Sequence, residues 1–264
     1  MKVHVLGKDD RSKYLRELYT NELVNIEDCD YLFCPIPFTR DNIYVNETDM
    51  KIDEIIKLTR NKILITGSLN EKIISKFNEK EIKYIDILNY EEFSILNAEA
   101  TSEGALKKVI EMSKKTINDS VVLILGFGRI GKSLANNFSG FTSKIYVEAR
   151  KEKDIALIKT MGYNEVDLND LDNVVDKADI IINTIPALIL DKKRLDALKK
   201  DVCILDLASA PGGVDFEYAR KLNLNVCWYL GIPSKDFPLS AAMYIKSTTD
   251  IILRGERIWE KKST

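Results

Sequence analysis

Short apolar runs alternate with amphipathic stretches along the chain. The pattern predicts a strand at 2–6, a helix near 11–23, a short strand at 31–34, a helix near 51–59, a strand at 62–66, a helix near 70–78 and a strand at 83–87. A long helix is expected over 98–116, where Ala105, Leu106, Val109, Ile110 and Met112 recur at helical spacing. Thr101, Ser102 and Glu103 supply helix-start chemistry at its expected entrance. Val121–Leu125 is a continuous apolar run suited to a central parallel strand. Further strand-like runs follow at 144–148, 164–167, 179–184, 202–206 and 224–229. A closing helix is expected from about 239 to 260, with Ala242, Ile245, Ile252 and Trp259 on one side. This alternation predicts an α/β fold built on parallel sheets with crossover helices.

At 264 residues the chain has room for about two domains. The division expected is an N-terminal α/β domain over 1–97, a connecting helix over 98–116 and a larger doubly wound domain over 117–236, with the closing helix returning to the first domain. Lys and Arg number 39 against 41 Asp and Glu, a formal charge of -2, which argues against a nucleic-acid binder. No apolar run is long enough to cross a bilayer, so no membrane association is expected. Met1–Gly7 turns polar too quickly for a signal peptide and reads as a strand entering a glycine turn. Cys29, Cys34, Cys203 and Cys227 lack metal-ligand spacing and read as reduced thiols of a cytoplasmic protein. The single histidine, His4, sits in an apolar strand and is expected to be satisfied by a neighbour. Histidine-based triads and histidine-ligated metals therefore lack their residues. Between Cys34 and Asp41, two prolines exclude a regular helix. That stiff loop reads equally as a ligand-binding edge or a plain turn.

Gly126-Phe127-Gly128-Arg129-Ile130-Gly131 matches G-x-G-x-x-G, follows a buried strand and opens an amphipathic helix. In that context it predicts a Rossmann-type dinucleotide site, with the pyrophosphate at the helix N-terminus. After the next strand come Ala149, Arg150 and Lys151, where an NAD enzyme usually has a carboxylate. Arginine suits a 2′-phosphate, so NADP(H) is the preferred cofactor. Glu148, one residue earlier, keeps NAD(H) open. Thr184-Ile185-Pro186 is expected to line the nicotinamide side, followed by Leu207, Ala208 and Ser209 after the next buried strand. Gly212 and Gly213 are expected to turn backbone N–H groups toward a carboxylate. Asp215 is a candidate helix cap.

Asn97–Ala105, Leu125–Gly131, Ala149-Arg150, Asn183–Ala187 and Asp206–Phe216 together resemble the family of dipicolinate synthase A subunits from spore-forming bacteria. The resemblance spans nearly the whole chain, and its most specific part is 206–218. The chain departs from the family pattern at Ala100, where a proline is usual, at Ser234, where a glycine is frequent, and at Leu239-Ser240, where Lys-Thr is frequent. The resemblance implies oxidation of a dihydrodipicolinate to dipicolinate in the mother cell, together with a flavoprotein-like B subunit. It further implies a small dicarboxylate substrate held in a cleft between two lobes. Thr101, Ser209, Ser240 and the 211–213 backbone are the candidate carboxylate donors, with Arg40 and Lys235 as charge partners. Glu103 is a candidate base, and a capping-box role at the helix start is weighed slightly above it. Three other readings stay open. They are a 2-hydroxy-acid dehydrogenase, a shikimate-dehydrogenase-like enzyme and a non-catalytic cofactor-binding scaffold. Assembly as a homo-oligomer is compatible with each.

Overall fold

The computed structural model of the protein describes residues 1–255. In chain order the elements are β1 (Val3–Val5), α1 (Asp10–Leu18), β2 (Tyr31–Phe33), α2 (Ile52–Leu58), β3 (Ile63–Thr66), α3 (Glu71–Glu79), β4 (Lys83–Asp86) and α4 (Glu91–Met112). Then follow β5 (Val122–Leu125), α5 (Arg129–Ser139), β6 (Ile145–Glu148), α6 (Glu152–Thr160), β7 (Asn164–Val166), β8 (Ile180–Asn183) and α7 (Lys192–Ala197). The chain closes with β9 (Cys203–Asp206), α8 (Phe216–Lys221), β10 (Asn225–Trp228), α9 (Ile232–Asp236) and α10 (Pro238–Leu253).

The chain forms two compact units. One is Met1–Asn97 with the chain from Pro233 onward, the other Ala98–Ile232. In the first, β1 to β4 lie side by side in sequence order and all pairs are parallel. Beyond the far edge of β1, Leu23 adds a single parallel bridge to Val3. One face of the sheet packs Ile52, Ile55, Ile73 and Phe77 from α2 and α3. The other packs Leu15 of α1 and Tyr19, which follows its last turn, together with Ala242 and Ile245 of α10. Tyr19 donates to Asp250 at 3.2 Å, and the Lys246 ammonium sits 4.2 Å from the Tyr19 ring centroid. His4 places Nδ1 2.9 Å from the Val24 carbonyl, so a strand neighbour satisfies it.

The second unit carries a six-stranded sheet of order β10-β9-β8-β5-β6-β7. Every pairing in it is parallel, and β5 and β8 are fully buried, as their continuous apolar runs require. From β5 the chain winds outward through β6 and β7, then returns to β8 and winds the other way. The reversal between β5 and β8 is the position at which open α/β sheets bind ligands.

Three expectations about helices are corrected. The helix expected over 98–116 begins at Glu91 and ends at Met112, so Thr101, Ser102 and Glu103 lie in mid-helix and cap nothing. Glu91 and Glu92 place acid in the first turn, and no proline interrupts the run through Ala98, Ala100 and Ala105. Helix α1 stops at Leu18, which frees Leu23 to bridge Val3. Helix α10 starts at Pro238, whose ring suits a first helical turn, and ends at Leu253. The expected continuation to 260, with Trp259, lies outside the described residues.

Candidate functional site

The second unit places the glycine motif at the sheet's reversal. Gly126 has φ +94°, and a Cβ there would meet the Thr184 hydroxyl at 2.5 Å. Thr184 donates through both N and Oγ1 to the Leu125 carbonyl, at 2.9 and 2.8 Å, tying the β5 and β8 exits together. At Gly131 a Cβ would lie 2.0 Å from the Gly126 carbonyl oxygen, so only glycine lets α5 pack this closely on the loop. Gly128 is the N-cap of α5, and nothing lies within 4 Å of where its Cβ would be. The first turn of α5 carries no acidic residue. This open space before a helix N-terminus fits a pyrophosphate.

A groove of about 290 Å³ runs from this loop. Gly126, Phe127, Gly128, Ala149, Arg150, Lys151, Thr184, Ile185 and Pro186 all line it, as do Glu148 and Asp154. Arg129 and Ile130 belong to the first turn of α5 beside it, with Gly131 buried beneath. Ala149 is buried while Arg150 and Lys151 are exposed. Glu148 closes β6 opposite Leu125, is 2 % exposed, and leaves Oε1 without a partner. Burial pushes its carboxyl above the ordinary range, against the Gly126 N–H and the Arg150 charge, while Asp167 pushes the same way as burial.

Beside the groove, a buried network shapes the loop after β9. Asp206 is fully buried and accepts from Asn183 Nδ2 at 2.8 Å, Ala208 N at 3.0 Å and Gly213 N at 2.7 Å. Asn183 Nδ2 also donates to the Ile185 carbonyl, and its Oδ1 accepts from Ile185 N. Leu207 N donates to the Asn183 carbonyl at 2.8 Å. Trp228 Nε1 donates to the Ala208 carbonyl at 2.8 Å, and its ring stacks on Phe216. The expected role of Gly212 and Gly213 as donors to a ligand is therefore corrected. Gly213 N–H goes to Asp206 and Gly212 N–H to the Ser209 carbonyl at 2.9 Å. The buried carboxylate at the end of β9 needs these donors itself. Asp215 does cap α8, accepting from Tyr218 N at 2.9 Å.

The remaining candidates divide between the units. Thr101 and Glu103 on α4 and Ser209 after β9 belong to the second. Thr101 is buried, whereas Glu103 and Ser209 are exposed, so Glu103 does not occupy the apolar pocket that would favour a buried base. Arg40, Lys235 and Ser240 belong to the first unit, the first two exposed and Ser240 half-buried. Two further arrangements escape sequence reading. Glu99 accepts from Ser133 and Asn137, which clasps α4 against the glycine-motif helix. In the first unit, Arg11 is 8 % exposed and donates to the Ile36 carbonyl at 2.6 Å, holding the proline loop. Among the described residues, no cluster of His, Cys, Asp and Glu is arranged to hold a metal, and no helix is long and apolar enough to cross a membrane.

Comparison with known proteins agrees with this geometry. The D-isomer specific 2-hydroxyacid dehydrogenase NAD binding domain matches residues 92–213. The dipicolinate synthase A subunit of Bacillus subtilis (strain 168) is 30% identical over 207 residues, 78% of this chain and 70% of that protein. The crystal structure of the dipicolinate synthase A subunit from Bacillus halodurans matches with a TM-score of 0.86 at 24% identity, covering 96% of this chain and 97% of that one. The crystal structure of its Bacillus subtilis counterpart gives a TM-score of 0.85 at 25% identity, covering 97% and 96%. The second unit is a nicotinamide-dinucleotide-binding domain of the dehydrogenase type.

Proposed function

We propose that this chain, which belongs to the family of dipicolinate synthase A subunits, oxidises a dihydrodipicolinate to dipicolinate with NADP⁺ as the preferred oxidant, in concert with a flavoprotein-like B subunit. The observation that carries the reading is the groove that joins the glycine loop to Arg150. When bound, the nicotinamide supplies the hydride acceptor. Gly126 to Gly128 and the first turn of α5 hold the pyrophosphate, and Arg150 and Lys151 hold the 2′-phosphate. Thr184, Ile185 and Pro186 shape the wall on the β8 side.

The reaction removes one hydride and one proton from a ring that becomes an aromatic pyridine. Aromatisation drives that loss, so the site needs orientation more than a strong base. This suits a chain whose single histidine lies in β1 against a backbone carbonyl. A histidine-dependent 2-hydroxy-acid dehydrogenase mechanism has no residue to run on. Thr101 and Ser209 are the hydroxyl donors proposed for one carboxylate. Glu103, exposed on α4, is proposed to pass the proton to water. Family membership supports a mother-cell cytoplasmic setting during sporulation. The test is turnover of enzymatically generated dihydrodipicolinate by the purified chain, with and without its B subunit. Pyridine-dicarboxylate absorbance rising with NADP⁺ supports the reading. No product under either condition refutes it.

A further inference from the structure

The first sheet also reverses its winding. From β1 the chain passes through α1 to Leu23, which lies beyond the outer edge of β1. From β2 it passes through α2 to β3 on the opposite side. Helices α1 and α2 accordingly pack on opposite faces. The carboxyl ends of β1 and β2 therefore form a crevice of the kind in which open α/β sheets take their ligands.

A cleft lies in that crevice. Apolar side chains of the β1 and β2 exits wall it, Leu6, Pro35 and Ile36 among them, and Arg11 and Ser12 of α1 supply its guanidinium and hydroxyl. Its volume of about 10 Å³ leaves room for one oxygen-sized atom. Arg11 is 8 % exposed and Ser12 4 %. Only Nη2 of Arg11 is engaged, donating to the Ile36 carbonyl at 2.6 Å and lying 3.5 Å from Asp9 Oδ2. Among the described residues, Arg11 Nε and Nη1 and the Ser12 hydroxyl have no hydrogen-bond partner. The nearby carbonyls are already taken. Arg16 donates to those of Val5 and Gly7, at 3.1 and 3.0 Å, and Thr66 to that of Pro35 at 2.8 Å. Gly7 has φ +112°, and a Cβ there would meet Ser12 Oγ at 2.4 Å, so glycine keeps the hydroxyl's place open. Burial draws the Arg11 guanidinium below its ordinary pKa, against the charges of Asp9 and Glu47. Buried donors without acceptors cost stability, and an incoming anion offsets that cost.

We propose that Arg11 and Ser12 form a carboxylate-binding site at the reversal of the first sheet. A planar carboxylate can lay one oxygen in so narrow a cleft, beside guanidinium nitrogens and a hydroxyl. A tetrahedral phosphate brings three oxygens to a space that fits one. The site stands on the first unit alone. That its ligand is a pyridine dicarboxylate or the dihydro precursor rests on the reaction proposed above.

The experiment titrates the full-length chain with dipicolinate, with the uncharged analogue pyridine-2,6-dimethanol and with inorganic phosphate. Nitrogen–proton correlation spectra follow the arginine Nε–H signals, with that of Arg11 assigned through its own backbone, and calorimetry gives the affinities. Dipicolinate should move the Arg11 signal, and the other two probes should leave it in place. Arg11→Lys should weaken dipicolinate at least about tenfold and Ser12→Ala about fivefold, while NADPH affinity changes less than about twofold. Dipicolinate that fails to bind, or binds without moving the Arg11 signal, overturns the proposal. So do variants that both bind dipicolinate as tightly as the parent. Phosphate that moves the signal as dipicolinate does overturns the carboxylate assignment. Should Arg11→Lys fail to fold, the parent's signal and Ser12→Ala decide. A chain that answers dipicolinate at Arg11 yet turns over no dihydrodipicolinate keeps the site and loses the reaction. Turnover at the parental KM in both variants keeps the reaction and removes the site.

Discussion

Replacing Asp206 by asparagine should destabilise the second unit by about 4 kcal/mol. The figure follows from the donor count. Both oxygens of Asp206 are acceptors, Oδ1 for Asn183 Nδ2 and Ala208 N, and Oδ2 for Gly213 N. An asparagine has one acceptor oxygen, and its amide nitrogen must face a donor. Set against Gly213, it forfeits a charge-assisted bond, about 1.5–3 kcal/mol, and strands a buried N–H, about 1–3 kcal/mol more. The fully buried site gives no water to replace what is lost. Denaturant unfolding monitored by circular dichroism measures the change. Asp215→Ala, which removes the α8 cap alone, is the internal calibrator at about 1 kcal/mol. A loss below about 1 kcal/mol in Asp206→Asn, no larger than the calibrator, would show that the three contacts do not hold the loop.

Further consequences follow from other sites. Gly131→Ala drives a Cβ to 2.0 Å from the Gly126 carbonyl, so the loop and α5 must part; NADPH affinity by calorimetry should fall at least about tenfold, with about 1–3 kcal/mol of stability lost. Arg11→Ala removes the donor to the Ile36 carbonyl and the partner 3.5 Å from Asp9; denaturant unfolding should report a loss of about 2–4 kcal/mol. Burial pushes the Cys203 thiol up to about 11 and that of Cys34 further still. Iodoacetamide near neutral pH should therefore label half-buried Cys227 first, with Cys34 and Cys203 labelled only on unfolding, as read by peptide mass spectrometry.

What the sequence discloses depends on how local the cause is. The Val121–Leu125 run and the glycine motif adjoin each other, and both strand and helix start follow from neighbouring residues. Asp215 is legible for the same reason, since a cap acts within one turn. Helix α4 is misjudged because Thr101-Ser102-Glu103 resembles a helix start while the true start lies ten residues before Thr101, at Glu91. Propensity favours a cap there, and the proline-free run from Glu91 to Met112 carries the helix through it. Gly212 and Gly213 are misjudged because their surroundings, Asp206 above all, are reached only once the loop folds back. A charged residue ending a fully apolar strand was the available signal, since such a carboxylate must recruit N–H donors nearby. Glu148 is placed correctly in the strand, but its burial depends on the β5 and β7 exits on either side, which no local pattern reveals.

The first unit is assembled from two stretches far apart in sequence, Met1–Asn97 and the segment that begins at Pro233, and the residues of the second unit lie between them in the chain. On the ribosome this imposes an order. By the time Ile232 is made, every strand of the nucleotide-binding sheet has been synthesised and can pair. The first sheet, made earlier, still lacks Ala242 and Ile245, the partners of Leu15 and Tyr19 across its α1 face. The segment made first is thus finished last, and its apolar face stays bare while the whole insert is translated. A chaperone that shields aromatic surface has that interval in which to act, and synonymous codons that slow the insert lengthen it.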